Sequence, residues 1–589
     1  MADVKAKIKG GAFLLQTANP ADVFTPEDMN EEQRMIGQTS KDYAKKVHSK
    51  LKEIEANKPA VSRLLMKEAG DLGLLALEIP EEFGGLGLDK VTATVSSEEF
   101  TRGGSFAVTL MAHTGIGTLP IVYFGTKEQK AKYLPKLASG DWVAAYALTE
   151  PGSGSDALGA RTTARLTEDG KYYVLNGSKQ WITNSGFADV FVVYAKIDGE
   201  KFTAFIVERG YEGVSVGPEE DKMGLHASST ATLILEDVKV PVENLLGEIG
   251  RGHVIAFNIL NIGRWKLGAA TSGSSKYMIE VAAQYAKTRA QFGKPIASFR
   301  AIQQKLADMN IRTFVTESVA YRTAGLLDAA LGDLDLVNTD IKEAGKRIEE
   351  FAVECSINKV FGSEAFDFVV DEAVQIHGGY GYMNEYEVAT AYVDSRINRI
   401  FEGTNEINRL LIPGTLVRRT MKGELPLMPA MMALQDELMS LTPFEDDGEP
   451  LAQERYMIER AKKVFLMLAG LGVQKYQMAL EQEQELLLGV ADIAIEIFAM
   501  ESIVARAQKA LAAGKPGLKV EMATVYCQEA FERIGMFARN IMPAIEEEGD
   551  TLRTQLSIIK RLLRYTPVNT VALKRKVAEK VLDKEGYVH

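Results

Sequence analysis

Cysteine is nearly absent from this chain: only Cys355 and Cys527 occur in 589 residues. Two distant thiols cannot staple a chain of this size, which excludes a disulfide framework and favours a reducing compartment. Histidine is scarce too. There are six, no two at metal-ligand spacing, so no zinc site is expected. No run of 18 or more consecutive apolar residues occurs, and no segment is expected to span a bilayer. Positive charge is in deficit: a net charge of −12 excludes the basic excess of a general nucleic-acid binder. Residues 1–15 carry Lys5, Lys7 and Lys9 without an apolar run or a small-residue cleavage site, so no secretory signal is expected and the chain reads as cytoplasmic. The basic stretches 560–564 and 574–576 read as solvated helix faces, with peripheral contact to lipid or phosphate as the other reading.

What is present is the composition of an ordinary globular protein, 46% apolar and 25% charged, in a chain long enough for three or four packed units. Residues 1–143 read as helical. Leu64, Leu65, Leu72, Leu74 and Leu75 cluster, and Thr25-Pro26-Glu27-Asp28 has the form of a helix start with proline in the first position. The glycine-rich stretch 80–87 breaks that pattern. Across 144–243 the character changes to β-rich runs at 172–174, 190–194, 202–207 and 231–235. Asp169-Gly170, Asn176-Gly177 and Asp198-Gly199 are hairpin signals, because these residues tolerate positive φ. A small antiparallel β domain is predicted there. Residues 244–415 read as helical again, 416–429 as a linker and 430–589 as a further helical unit. In that last unit Leu486, Val490, Ile493, Ile497, Met500 and Val504 fall on one stripe, and the acidic run 445–450 reads as a loop. No short internal repeat is evident.

Four segments could carry chemistry. Residues 147–156 (Ala-Leu-Thr-Glu-Pro-Gly-Ser-Gly-Ser-Asp) are small enough to bring backbone N–H groups and hydroxyls against an anion, although alone they read as a surface turn. Trp181-Ile182-Thr183-Asn184, at a strand end, could pack and hydrogen-bond a flat heterocycle, and a core tryptophan is the plainer reading. Gln375-Ile376-His377-Gly378-Gly379-Tyr380-Gly381 ends a helix with more glycine than a C-cap needs. In Phe401-Glu402-Gly403-Thr404-Asn405 a carboxylate precedes a glycine at a loop-to-helix junction, with Thr404 suited to the N-cap; taken locally, Glu402 reads as a capping residue.

Together these segments change the reading. With Lys222-Met223-Gly224, Ser228 and Arg289-Ala290-Gln291-Phe292-Gly293-Lys294, they resemble the acyl-CoA dehydrogenase family in order and spacing over roughly residues 30–415. The resemblance implies an α+β multidomain fold: an N-terminal helical bundle, a central antiparallel β domain and a C-terminal four-helix bundle, here followed by an extra C-terminal helical domain. Such an extension, with Lys222 to Ser228 and Phe361-Gly362-Ser363-Glu364-Ala365, is most like the very-long-chain subgroup.

The resemblance also implies the chemistry: FAD-dependent α,β-dehydrogenation of an acyl-CoA thioester to a trans-2-enoyl-CoA. Glu402 would be the base, with the Glu402 N–H on the thioester carbonyl. Some relatives carry the base on an earlier helix, and the matching position here is Gly263, which has no side chain. Leu148, Thr149, Gly154, Ser155, Trp181 and Thr183 would hold the flavin ring. Arg289, Phe292, Gln375, Gly378 and Gly379 would hold the pyrophosphate and adenosine across a subunit interface, and Thr404 and Glu406 are further FAD contacts. Ser155, Asn261, Arg264 and Gly403 fall on the substrate side. His226 stands where many relatives have arginine, so no contact is assigned to it. The pocket base would lie within 109–119, where Ala112 is small enough to admit a long acyl chain. An electron-transferring flavoprotein is implied as acceptor and a homodimer as the assembly. An acyl-CoA oxidase, a non-catalytic scaffold relative and a dehydrogenase for branched or aromatic acyl-CoA are the competing readings.

Overall fold

The helix start expected at Thr25-Pro26 opens only a short turn, and the long helix begins at a second cap. Thr25 and Asp28 form a capping box on a single 3-10 turn, Pro26–Asp28. A second box, Asn30 with Gln33, starts the long helix Glu31–His48. The computed structural model describes residues 8–439, 442, 444–445 and 448–589; Lys5, Lys7 and residues 446–447 of the acidic run lie outside them. Helices Lys58–Asp71, Lys90–Phe100 and Lys127–Ala138 complete the N-terminal bundle. Of its clustered leucines, Leu65, Leu74 and Leu75 are buried while Leu64 and Leu72 stay exposed. The stretch 106–124 is apolar and long enough to cross a membrane, yet it is broken by a π-helical turn at His113–Gly117 and mostly buried within the fold.

Eight strands follow: β1 Ala144–Ala147, β2 Thr163–Leu166, β3 Tyr172–Thr183, β4 Val190–Ile197, β5 Lys201–Glu208, β6 Val214–Glu219, β7 Thr230–Pro241 and β8 Leu245–Leu246. They form one sheet in the order β6-β7-β3-β2-β4-β5-β8, with β1 also on β4. Most pairings are antiparallel as expected, but β1 and β2 run parallel to β4. Both Asp-Gly pairs turn hairpins: Gly170 has φ 70°, and Asp198 and Gly199 have φ 54° and 78°. Asn176-Gly177 does not turn the chain. It lies inside β3 at a bulge, where the register against β7 shifts. A Cβ on Gly177 would stand 2.5 Å from Thr162 Oγ1, so this glycine serves a close backbone approach.

Four long helices then build the second bundle: α1 Gly252–Thr288, α2 Arg300–Leu331, α3 Ala352–His377 and α4 Asn405–Met421. Helix α4 runs straight through Pro413. The next helix, Leu427–Met439, begins soon after it ends. The linker expected at 416–429 is therefore mostly helical, and the break narrows to 422–426. Proline removes one backbone donor, and the flanking turns keep theirs.

The C-terminal unit contains α5 Ala452–Tyr476, α6 Gln484–Ala512, α7 Lys519–Ile545 and α8 Thr570–Lys584. The predicted stripe on α6, from Leu486 to Val504, is buried throughout. This unit docks on α2 through two buried ion pairs, Arg322 to Glu501 and Arg506 to Glu317, each at 2.6 Å, and through the half-buried pair Lys574 to Asp308 at 2.7 Å. Lys574 also reaches Glu529 at 2.5 Å, so part of the basic run 574–576 faces carboxylates rather than solvent. Cys355 and Cys527 are free, buried thiols.

Candidate functional site

The segment 147–156 is anchored from beneath. Glu150 is buried, and its carboxylate accepts from Lys179 Nζ at 2.6 Å, Arg161 N at 2.6 Å and Thr162 Oγ1 at 2.6 Å. Thr149 O accepts from Gln180 N at 2.9 Å, which ties the segment to β3. Burial of Glu150 opposes ionisation, but Lys179 and these donors outweigh it and hold its carboxyl below the usual range. The loop above is left free: a Cβ on Gly152 or Gly154 would meet nothing within 4 Å. A second bulge in β3, between Lys179 and Ile182, gives Trp181 a φ of 59° and leaves it 60% exposed.

Leu148, Thr149, Gly154, Ser155, Trp181 and Thr183 line one cavity of about 900 Å³, together with Asn261, Arg264, Glu402 and Gly403. Ala112 and Ile116, at the end of the helix Phe106–Ala112 and in the π-helical turn, close one side of it. The cavity thus joins the β domain to the bundle and brings ten predicted site residues to one place.

Glu402 has φ 58° and Gly403 φ 80°. A left-handed conformation costs a non-glycine residue about 1–2 kcal/mol and persists only where the surroundings hold it. Three successive carbonyls show what holds it. Glu402 O accepts from Arg264 Nε at 3.1 Å and Asn408 Nδ2 at 3.3 Å. Gly403 O accepts from Lys359 Nζ at 2.7 Å and Asn408 Nδ2 at 2.9 Å. Thr404 O accepts from Asn408 Nδ2 at 3.0 Å, while Thr404 Oγ1 caps α4 by accepting from Ile407 N at 3.2 Å.

The side chain of Glu402 is treated differently from its backbone. Its Oε2 is shut off from solvent and has no hydrogen-bond partner among the described residues. It packs on the bare Cα of Gly263, where a Cβ would stand 2.7 Å from that oxygen and 3.3 Å from Ile116 Cγ2. Burial pushes the carboxyl up to about 7, and Arg264 and Lys359 offset that only in part. A carboxylate with an unsatisfied buried oxygen and an affinity for protons near neutrality is suited to act as a general base.

The other predicted residues lie elsewhere. Arg289, Gly378 and Gly379 line a separate open cleft of about 470 Å³, with Arg289 over the Tyr380 ring at 5.3 Å. His377 in this cleft stacks on Tyr285, ring centroids 4.0 Å apart, and its Nδ1 lies 2.7 Å from Ala373 O, which is a packing role. Phe292 is 93% exposed with φ 52°. Gln375 and Glu406 are exposed and line neither hollow. Asn261 and Arg264 belong to the first cavity. Both are buried, and Arg264 Nη1 donates to Asn261 Oδ1 at 2.9 Å while Nε holds the Glu402 carbonyl.

Sequence comparison matches the N-terminal, middle and C-terminal domain profiles of acyl-CoA dehydrogenase to residues 30–141, 145–238 and 250–416, and a further acyl-CoA dehydrogenase C-terminal domain to 460–561. A Bacillus subtilis protein named "Probable acyl-CoA dehydrogenase" is 54% identical over 100% of this chain and 99% of its own. The chain belongs to the acyl-CoA dehydrogenase family. The human very long-chain specific acyl-CoA dehydrogenase, a mitochondrial protein, is 38% identical over 81% of this chain and 75% of its own. The crystal structure of a Bacillus anthracis acyl-CoA dehydrogenase complexed with FAD superposes with a TM-score of 0.97, at 56% identity, over 99% of this chain and 100% of that one.

In this acyl-CoA dehydrogenase the sequence reading missed two parts of the site. Lys359 and Asn408 hold the Glu402 turn, yet the sequence reading gives neither a role. Asn408 sits only six residues beyond Glu402, so one helical turn of α4 could have pointed to it. Lys359 lies on α3, and only the packing of α3 against α4 brings it near. No local signal marks it.

Proposed function

We propose that the chain is an FAD-dependent enzyme that desaturates acyl-CoA thioesters to trans-2-enoyl-CoA in fatty acid β-oxidation, with Glu402 as the base and long acyl chains as substrates. One observation carries this reading: the unpartnered carboxylate oxygen of Glu402 faces Gly263 in the same cavity as the 147–156 loop and Trp181. The cavity fits the cofactor. The open Gly152 and Gly154 allow close backbone approach, and Trp181, Thr149 and Thr183 offer a ring and hydroxyls beside it. FAD, when bound, accepts the hydride from the substrate β-carbon.

The protein's own part is positional and electrostatic. Ionised Glu402 takes the proton from the carbon next to the thioester carbonyl. Arg264 and Lys359 place positive charge behind the turn, so the carboxylate can ionise near neutral pH although it is buried. The donors on the carbonyls of residues 402–404 fix the turn before substrate arrives, which lowers the entropic cost of alignment. The cavity volume and Ala112 beside it support a long acyl chain.

Arg289, Gly378 and Gly379 suit the adenosine side of a partner's cofactor, their cleft being separate and open, which supports the reading of a homodimer. An electron-transferring flavoprotein suits the role of acceptor by family likeness. The buried thiols Cys355 and Cys527 suit a reducing, cytoplasmic setting.

The decisive assay follows flavin bleaching and turnover with a straight-chain acyl-CoA series and an artificial acceptor, for wild type and Glu402→Gln. Turnover on C14–C18 thioesters that is lost in the variant is expected. Normal activity in the variant removes Glu402 as base, and turnover confined to short chains removes the long-chain reading. A monomer retaining one FAD per chain removes the shared cofactor site.

A further inference from the structure

Lys359 is fully buried on α3, and among the described residues it has no carboxylate partner. Its ammonium donates instead to two neutral oxygens, Gly403 O and Asn405 Oδ1, each at 2.7 Å. A lysine buried against neutral acceptors is costly and uncommon unless its charge serves something nearby. Both acceptors belong to the residues directly after Glu402. Asn405 is itself fixed, donating to Ser363 Oγ at 3.0 Å and Glu364 Oε1 at 2.9 Å. Glu364 in turn clamps Arg409 of α4 through both oxygens, at 2.7 and 2.9 Å. The ammonium is therefore held from a helix pair and aimed at the left-handed turn that carries Glu402.

We propose that Lys359 is a positioning residue of the reaction: its ammonium pins the Gly403 carbonyl and the Asn405 side chain, sets the Glu402 carboxylate against Gly263, and supplies the positive charge that lets that carboxylate ionise. This rests on the reading of Glu402 as the base. The charged groups facing Lys359 are Glu402 in the turn, Arg264 on α1, Glu406 on α4 and Glu364 on α3. Burial pulls the ammonium down to about 7, with Glu402 the strongest neighbour working against that. The cation and the carboxylate thus titrate in the same range and favour each other's charged forms.

The test compares wild type, Lys359→Met and Asn405→Ala as flavin-loaded protein. It measures kcat, KM for palmitoyl-CoA and the pH profile of flavin reduction. Methionine keeps the stem of the side chain and removes the charge. A fall in kcat of about 100-fold is expected for a base displaced by an ångström, with KM and flavin content close to wild type. The acid limb of the profile should move to higher pH, because a carboxylate that loses a neighbouring cation holds its proton more tightly. Asn405→Ala removes one anchor and leaves the charge, so kcat should fall without movement of the limb. Wild-type kcat and profile in Lys359→Met overturn the proposal. So does loss of flavin or stability with the acid limb unmoved in the remaining active enzyme, which is the signature of a merely structural lysine. If Lys359→Met does not fold, unchanged kcat in Asn405→Ala overturns it. Failure of the base reading is separate: wild type would then reduce no flavin with any acyl-CoA, or Glu402→Gln would remain active.

Discussion

Two buried glutamates, Glu78 and Glu402, each have two cations nearby and behave in opposite ways. Glu78 bonds Lys90 and Lys266 directly, one through each oxygen. Burial alone would raise its carboxyl, but Lys266 and Lys90 together hold it down to about 2. Glu402 is raised to about 7, because Arg264 and Lys359 direct their donors to backbone carbonyls and leave its Oε2 unpartnered. The two sites share α1, with Gly263 at one and Lys266 at the other. The comparison teaches that a nearby positive charge is not enough. What separates a carboxylate held ionised from one that takes up a proton near neutrality is whether the cation's hydrogen bonds reach the carboxylate itself.

The largest effect expected from breaking this contrast is on catalysis. Glu402→Gln should lower flavin reduction about 10²–10⁴-fold, the contribution of a positioned general base, in stopped-flow bleaching. Its folding midpoint should hold or rise at pH 8, since no paired charge is lost. Glu78→Gln should do the reverse. It strands two buried lysines and should cost about 3–5 kcal/mol in denaturant unfolding, and retention of wild-type stability would show that the triad is not the structural pair described.

Gly263→Ala sharpens the contrast further. Alanine favours helix over glycine by about 1 kcal/mol, yet its Cβ would stand 2.7 Å from Glu402 Oε2. Turnover should fall about 100-fold while stability does not.

Stability against pH should separate the two glutamates as well. Glu78 has a lowered folded value, so the stability it contributes is complete above its unfolded value of 4.5 and disappears as pH falls toward 2. Glu402 has a raised value, so its contribution is complete below 4.5 and is lost as pH rises through 7. Unfolding curves of the two Gln variants from pH 3 to 9 should therefore depart from wild type in opposite directions above pH 7, Glu78→Gln below it and Glu402→Gln at or above it, and approach it as pH falls. The smallest effect is expected from Asp492→Asn. Arg409 donates to Asp492 Oδ1 at 2.7 Å but keeps its double bond to Glu364, so about 1 kcal/mol or less should be lost.

Much of this architecture was legible in the chain. The helix–β–helix order, the Asp-Gly hairpins, the α6 stripe and the 25–28 capping box all rest on local rules of φ, periodicity and hydrogen bonding. The misreadings came where tertiary contact overrode a local signal. Asn176-Gly177 has the chemistry of a turn, but Thr162 lies so close that glycine is needed for proximity instead. The linker expected at 416–429 is mostly helical, because α4 continues through Pro413 to Met421 and the next helix begins at Leu427. Arg264 lines the cavity as expected of a substrate-side residue, and its hold on the Glu402 carbonyl is visible only in the fold.

The sequence by itself determined which residues could do chemistry: a glutamate before a glycine at a helix start, a glycine without a side chain at 263, and small residues at 152–155. Only the tertiary structure decided what Glu402 becomes. Its charge state depends on burial and on where neighbouring cations place their hydrogen bonds, and those neighbours come from α1 and α3, 138 residues away at Arg264 and 43 at Lys359 by their numbers. No local pattern encodes such a distance, because the electrostatics of a buried group are set by whatever the fold packs around it.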